Sequence, residues 1–243
     1  ISAIEVTRLA SIKLTYLVMV TAVIVAAGSS KRMGDDVDKL FLEVQGLPVI
    51  GHTWKTFDAH QLVSEIIIVA REEAQGAFDQ LAPNLNLQKP YRYVRGGDER
   101  QDSVRNGISA VCSESRIIAI HDGARPCVDK ETITNTIKAA EEGGAAVAAS
   151  KIIDSIKLSD GEGRISQNID RTNLWSVQTP QVFKTDIIVA AMKAVADEGI
   201  LVTDDTSACE LIGQSVVLIE SKNPNPKVTT DSDLAFVSFL LKR

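Results

Sequence analysis

The chain has 243 residues, of which 44% are hydrophobic and 24% are charged, and its net charge at pH 7 is −6. Such a composition indicates a globular protein of one large α/β domain or two small ones. The acidic balance argues against non-specific nucleic-acid binding, and no apolar run reaches the ~18 residues that a membrane span needs. Any anion site must therefore consist of a few local cations.

Residues 1–18 are not expected to belong to the fold. They lack an initiator Met, contain Glu5, and have neither the charged start nor the cleavage site of a signal peptide. Met19 directly precedes the first strand pattern and is the expected natural start. Residues 1–18 are then a leader, a tag remnant or a misassigned start, and they neither exclude nor support a plastid form. We predict one domain over residues 19–243.

Apolar, β-branched runs alternate with amphipathic stretches along this domain. The predicted strands are AVIVA (22–26), EIIIVA (65–70), YRYV (91–94), RIIAIHD (116–122), AAVAAS (145–150) and SVVLIE (215–220). The predicted helices are 48–60, 72–81, 129–144 with an Asp N-cap, 184–199, 204–213 and 231–243. Fully apolar strands that alternate with helices predict an α/β fold, with a mostly parallel sheet covered on both faces.

Residues 151–173 interrupt the alternation. SDGEG (159–163) is a hairpin-turn signal, and the residues on both sides of it alternate between apolar and polar. The pattern predicts an antiparallel arm on the α/β body. Because a two-stranded ribbon is marginal alone, we expect the arm to pack on another element, most simply a second subunit.

Ligands of open parallel sheets bind at the carboxyl ends of the strands, so the loops there form the candidate site. The first, AAGSSKRMG (26–34), has neither a Walker A pattern nor GxGxxG. Its small residues expose backbone N–H groups, and Lys31, Arg32 and Lys39 follow, which fits a polyphosphate. The alternative is a tight turn with solvated charges.

Three further loops carry polar groups. RGGDERQDSV (95–104) offers a glycine pair, an acceptor and a hydroxyl for a base or ribose, or else Asp102 or Ser103 caps a helix. HDGARP (121–126) places Asp122 where it could meet a ribose hydroxyl, Mg²⁺ or a substrate hydroxyl. His121 is read as structural rather than catalytic. SKNPNPKVTT (221–230) presents Lys227.

Two other groups are assigned structural roles. Asp204 and Asp205 are expected to cap a helix rather than to bind a metal. The three cysteines lack CxxC or metal spacing, which is typical of a reduced cytosolic protein whose cysteines are packing residues.

Six stretches occur in order: AAGSSKRMG, GGDERQDSV, HDGARP, IDRTNLWSVQTPQVF, VTDDTSACE and NPKVT. With them the chain resembles the 2-C-methyl-D-erythritol 4-phosphate cytidylyltransferases over roughly residues 20–243. The resemblance implies a Rossmann-like fold and a cytoplasmic homodimer joined through the arm. It also implies transfer of CMP from CTP to methylerythritol phosphate, with Mg²⁺ bound mainly through the CTP phosphates and pyrophosphate released.

The resemblance also implies roles for individual residues. The CTP side would be formed by Ala26, Ala27, Gly28, Ser29, Ser30, Gly97, Asp98 and Ser103. The catalytic cations would be Arg32, Lys39 and Lys227. The acceptor side would be formed by Asp122, Arg125, Thr203 and Lys227, with Arg171 and Ser155 from the arm of the partner.

Three positions depart from the family pattern. Asp38-Lys39-Leu40 stands where Pro-Lys-Gln is frequent, Gly123 replaces a common Ala, and Ser155 replaces a Thr. The lysine and the hydroxyl are retained. The new neighbours of Lys39 leave the geometry of its loop open.

Three other functions are compatible with parts of the sequence. A cytidylyltransferase for another polyol phosphate, such as ribitol 5-phosphate, would share the CTP loops, but Arg171, Thr203 and Lys227 favour methylerythritol phosphate. A regulatory nucleotide-binding module would not need the cations of the acceptor side. An NAD-dependent oxidoreductase would need the glycine fingerprint that the chain lacks.

The substitution Lys39→Ala should lower kcat on the order of 100-fold, by analogy with the loss of one oxyanion donor. The acceptor phosphate is already an anion, so catalysis needs positioning and cations more than a base. Steady-state kinetics of pyrophosphate release measure the effect. An unchanged kcat would remove Lys39 from the mechanism.

Overall fold

A computed structural model describes residues 18–28 and 38–242. The strands are β1 (Val20–Ala26), β2 (Glu43–Val44), β3 (Leu47–Pro48), β4 (Glu65–Ala70), β5 (Tyr91–Arg95), β6 (Ile117–Asp122), β7 (Ala145–Lys151), β8 (Ile156–Ser159), β9 (Ile165–Ile169), β10 (Trp175–Lys184) and β11 (Val217–Glu220). The helices are α1 (Val49–Asp58), α2 (Gln75–Leu81), α3 (Arg100–Ser109), α4 (Lys130–Gly143), α5 (Thr185–Glu198), α6 (Asp205–Leu211) and α7 (Asp231–Leu241).

Seven strands form the central sheet in the order β11-β7-β10-β6-β1-β4-β5. β10 runs antiparallel to both of its neighbours, and the other neighbouring pairs are parallel. The predicted mostly parallel sheet is therefore confirmed. The six predicted sheet strands are all present. β10 was not predicted, because its first half is polar and has no strand pattern. Its second half is buried between β6 and β7.

Successive residues of the central strands point to two separate cores, which follows from the period of two along a strand. Ala22 and Ile24 of β1 face the core under α1, α2, α4 and α7, whereas Val23 faces the core under α3, α5 and α6. Both faces of the sheet are thus covered by helices, as predicted. None of the helices in the described ranges combines the length and the apolar content that a membrane-spanning helix needs.

The largest error in the predicted elements concerns α3. The sequence pattern predicted a loop over residues 95–104, but the helix begins at Arg100. The alternative interpretation placed an N-cap at Asp102 or Ser103. The N-cap is Glu99 instead, which forms a reciprocal capping box with Asp102. The sequence does not predict a glutamate as the N-cap, because Ser, Thr, Asp and Asn are the preferred residues at that position.

The interrupting segment does form an antiparallel hairpin, made of β8 and β9. The hairpin is a two-stranded sheet separate from the central one, and three large apolar side chains of the arm, Ile153, Leu158 and Ile165, are exposed. Ile153 and Ile165 are 80% and 69% exposed. The predicted arm is therefore present in the structure.

Gly107→Ala should destabilise the fold, because a Cβ there would lie 2.6 Å from Val23 Cγ1 and 2.8 Å from Val69 Cγ2. Overpacking of this kind costs about 1–3 kcal/mol. Gly76→Ala in α2 is the matched control, since its Cβ would meet nothing within 4 Å and alanine favours a helix. Urea unfolding measures both. Equal midpoints for the two variants would contradict the packing argument.

Candidate active site

A cavity of about 400 Å³ opens at the carboxyl edge of β1, β4, β5 and β6. It is lined by Val25, Ala26, Ala27, Gly28, Lys39, Leu40, Arg71, Gly97, Asp98, Glu99, Arg100, Ser103, Asp122, Ala124 and Lys227. Strand ends of the sheet, the first turn of α3 and the turn before α7 therefore meet at one place. This is the edge at which the parallel topology predicts a ligand.

Asp122, the last residue of β6, is the centre of the charge arrangement. Its carboxylate receives Lys227 Nζ at 2.9 Å, and Arg100 Nε and Arg125 Nε at 3.4 Å each. Burial alone would raise the pKa of Asp122, but Lys227 and Arg100 hold it well below its usual range. Asp122 is therefore a fixed anion, and it cannot act as a general base near neutral pH.

Arg100 joins Asp122 to the loop that carries Thr203. Its guanidinium donates to both oxygens of the buried Asp205 carboxylate, at 2.8 and 2.9 Å. Burial opposes the charge of Arg100, yet Asp205 raises its pKa above the ordinary value. The prediction that Asp204 and Asp205 both cap α6 is half right, because Asp204 accepts from Ser207 N whereas Asp205 is the partner of Arg100.

A second side chain of the same turn supports this connection. The amide of Gln101 donates to Ile200 O at 3.1 Å and accepts from Val202 N at 2.9 Å. The first turn of α3 is therefore bonded to residues 200–205 by two neighbouring side chains.

The glycine pair before α3, Gly96 and Gly97, lies in close contact with neighbouring residues. A Cβ on Gly96 would lie 2.3 Å from Ala27 Cβ, and one on Gly97 would lie 2.3 Å from Asp102 Cβ. Ser103 Oγ accepts from Gly97 N at 3.1 Å. Only glycine fits here, so the backbone of this loop can come next to a ligand.

His121 takes no part in the cavity. Its ring is fully buried against Phe57, with Nε2 3.1 Å from Arg125 O and Nδ1 3.0 Å from Thr179 Oγ1. This pairing fits a ring that donates from Nε2 and accepts at Nδ1. Burial lowers the pKa of His121 to about 4, so the ring is neutral near pH 7. These contacts agree with the structural role that was expected for it.

The structure brings together most of the residues singled out from the sequence. Those that line the cavity are Ala26, Ala27, Gly28, Lys39, Gly97, Asp98, Ser103, Asp122 and Lys227. Arg125 lies behind Asp122 and donates to Asn225 O at 2.8 Å. Thr203, Ser155 and Arg171 are exposed and do not line it. Ser29, Ser30 and Arg32 lie outside the residues that the structure describes.

Sequence reasoning missed two cations of the cavity, Arg71 and Arg100. Arg71 directly follows the last residue of β4, so its place at a strand end was a usable signal. Arg100 lies within a motif that the sequence analysis quoted, but nothing in the sequence pairs it with Asp205, which is 105 residues away. Such long-range pairs are visible only in the folded chain.

An open α/β sheet with a cation-lined cavity at its carboxyl edge defines a nucleotide-binding enzyme of the α/β class. Comparison with known proteins makes the class specific. Residues 20–243 match the family model IspD, 2-C-methyl-D-erythritol 4-phosphate cytidylyltransferase.

Curated relatives and solved structures agree with that match. A 2-C-methyl-D-erythritol 4-phosphate cytidylyltransferase of Caldanaerobacter subterraneus is 42% identical, over 92% of this chain and 99% of the relative. The enzyme of the same name from Bacillus velezensis is 40% identical, over 90% and 94%. The 4-diphosphocytidyl-2C-methyl-D-erythritol synthase structure from Anaerococcus prevotii superposes with a TM-score of 0.82 at 28% identity, over 93% of this chain and all of that one.

The chain belongs to the 2-C-methyl-D-erythritol 4-phosphate cytidylyltransferase family. It is a nucleotidyltransferase, and its reaction is CTP-dependent cytidylyl transfer in isoprenoid biosynthesis.

The unfolding free energy should fall as the pH is lowered from about 6.5 to about 4, because unfolded His121 takes up a proton near its ordinary pKa of 6.5 and folded His121 only near 4. His60, whose pKa is also lowered by burial, adds to the effect. Urea unfolding at pH 7 and pH 5 measures it, and His121→Gln should show a weaker dependence. The same pH dependence in both proteins would contradict this reading of His121.

Proposed function

We propose that this cavity is where the cytidylyl group passes from CTP to 2-C-methyl-D-erythritol 4-phosphate, and that its lining residues have the roles given below. The observation that carries the proposal is the group of cations around one small volume. Lys39, Arg100 and Lys227 line the cavity, together with Arg71, whose charge is offset by its ion pair with Asp38. Two polyanions must meet during the reaction, and a cluster of fixed cations reduces their repulsion.

The chemistry needs little from a protein base. The phosphate of the acceptor is an anion at neutral pH, and one of its oxygens attacks the α-phosphorus of CTP in line. The bond from the α-phosphorus to the bridging oxygen breaks, and pyrophosphate leaves with that electron pair. Positioning and electrostatic stabilisation then supply most of the catalysis. The buried, neutral His121 and the ion-paired Asp122 are consistent with this reaction.

On the CTP side, the backbone of residues 26–28 and the glycine loop at Gly97 would hold the cytidine half, with Asp98 and Ser103 beside it. Their support is that Ala26, Ala27, Gly28, Gly97, Asp98 and Ser103 all line the cavity. Lys39 would hold the triphosphate and stabilise the charge that grows on the α-phosphoryl oxygens. Ser29, Ser30 and Arg32 keep the roles that the family resemblance implies.

On the acceptor side, Lys227 would bind the incoming phosphate, since it reaches the cavity from the turn before α7. Asp122 would accept from an acceptor hydroxyl while Arg125 holds the carboxylate from behind. Thr203 would join them from the loop that Arg100 and Gln101 bind. All of these residues come from loops near the edge of β6.

We propose that the protein acts as a homodimer and that Arg171 and Ser155 reach the site of a second copy through the arm, residues 151–173. The exposed isoleucines of the arm support this, because an isolated ribbon with apolar side chains in water is unfavourable. In a mixture of Lys39→Ala and Arg171→Ala chains, exchange of subunits should partly restore activity. No recovery in a mixture that has exchanged subunits would contradict a shared site.

Mg²⁺ is proposed to enter as the Mg–CTP complex rather than as a resident metal. In the described part of the chain, no group of three His, Cys, Asp or Glu side chains could hold a metal ion. The carboxylate of Asp122 is engaged by three cations. The phosphate oxygens of CTP would therefore be the main ligands of the ion. A cytoplasmic location is proposed because the cysteines are all unpaired.

The deciding experiment measures pyrophosphate release from Mg–CTP with methylerythritol 4-phosphate or ribitol 5-phosphate as acceptor. Turnover with the methylerythritol acceptor alone is expected. Turnover with ribitol 5-phosphate alone would retain the CTP site and overturn the roles given to Lys227 and Thr203. CTP binding without turnover on either acceptor would favour a regulatory module.

A further inference from the structure

We propose that Asp38 and Arg71 form a positioning pair that holds Lys39 at the wall of the cavity. The proposal rests on the role given to Lys39 above. It concerns a place where this chain departs from the family pattern, because Asp38 stands where proline is frequent.

Lys39 lies on a very short element. It is the first residue of a single 3₁₀ turn, Lys39–Phe41, and a turn of this length is not stable by itself. Two side chains of the turn are anchored in the core, since Leu40 is buried and the ring of Phe41 packs edge-on against Phe78 at 5.0 Å. These contacts fix the apolar side of the turn, and its start needs a separate support.

Asp38 supplies that support with one carboxylate oxygen. Oδ1 accepts from Leu40 N at 3.1 Å, which caps the turn. The other oxygen, Oδ2, receives Arg71 Nη2 at 2.5 Å. One carboxylate therefore both closes the turn and ties it to a different part of the fold.

Arg71 is a rigid point of attachment. It directly follows β4, whose six residues are all buried and which pairs with β1 on one side and β5 on the other. The pair is partly shielded, with 33% of the Arg71 side chain and 19% of the Asp38 side chain exposed. A charge-assisted hydrogen bond therefore ties the turn to the end of a buried strand, and its partial burial reduces solvent screening.

The pair also settles what Arg71 does in the cavity. Arg71 and Lys39 line the same cavity, so both could compete for the phosphates. Asp38 takes up the charge of Arg71 and makes it an anchor. Arg71 then acts on the reaction through Lys39, and the family's proline is replaced here by an ionic restraint.

The test is a set of kinetic measurements on Arg71→Met, Asp38→Asn and the double variant, with kcat and the KM for CTP determined separately. Misplacement of Lys39 should lower kcat about 10-fold in each, with a smaller change in KM, because small errors of position cost rate. The double variant should be no slower than the slower single one. Asp38→Asn keeps an oxygen for the cap and serves if Arg71→Met does not fold.

Glu72→Gln is the matched control. Glu72 pairs with Arg95 at 3.1 Å beside the same strand end, in an exposed position outside the cavity. It should leave kcat unchanged. Urea midpoints of all variants separate a loss of stability from a loss of rate.

The decisive comparison measures the effect of Arg71→Met in the Lys39→Ala variant and in the unsubstituted protein. If Arg71 and Asp38 act through Lys39, adding Arg71→Met to Lys39→Ala should cause no further loss of kcat. An equal loss in both backgrounds would mean that Arg71 contacts the substrate directly, and the proposal would be wrong. Normal kcat in Arg71→Met, with Lys39→Ala impaired, would overturn the pair but leave the function intact. Normal kcat in Lys39→Ala would overturn the pair's proposed role and the role given to Lys39, while the reaction itself would stand.

Discussion

The ion pairs of the buried Asp122 carboxylate hold the candidate site together. Lys227 comes from the turn before α7, Arg100 from the first turn of α3 and Arg125 from the loop after β6, and all three meet one side chain. A buried carboxylate is tolerated only when it is paired, so each of these segments is constrained by the same anion. Three cations share Asp122 and Asp205, so neither buried carboxylate lacks a cationic partner.

The scaffold makes this arrangement possible because it places the carboxyl ends of β1, β4, β5 and β6 side by side. β10 contributes although it runs the other way. Thr179, in its middle, accepts from Asp122 N through its hydroxyl, and its carbonyl accepts from the buried Asn225 amide. The loop that presents Lys227 is thus bonded to the strand beside Asp122, and the cations are positioned before any substrate arrives.

Preorganised charge suits the reaction. A phosphate acceptor is already nucleophilic, so the protein has only to lower the repulsion between two polyanions and hold them in line. Neither His121 nor Asp122 is available as a general base. His121 is neutral and enclosed in the core, and the pKa of Asp122 is held well below its usual range by its cations. The wall of the cavity also carries the cations Lys39, Arg71, Arg100 and Lys227 and the carboxylates of Asp98 and Glu99.

Much of this protein follows from the sequence by itself, because local patterns carry the information. Strands such as EIIIVA are apolar on both faces and could only be buried in a parallel sheet, and the strand ends then located Lys39, Asp122 and Lys227. The tertiary structure alone decided three things. Arg100 forms an ion pair with Asp205, and Arg71 forms one with Asp38, although the partners are far apart in the sequence. β10 enters the sheet despite its polar start, since its neighbours bury its second half. A Cβ on residue 123 would lie 2.7 Å from Ile50 Cδ1, so the glycine there fits the packing of α1. Partner choice and packing depend on residues distant in sequence, and no local pattern encodes them.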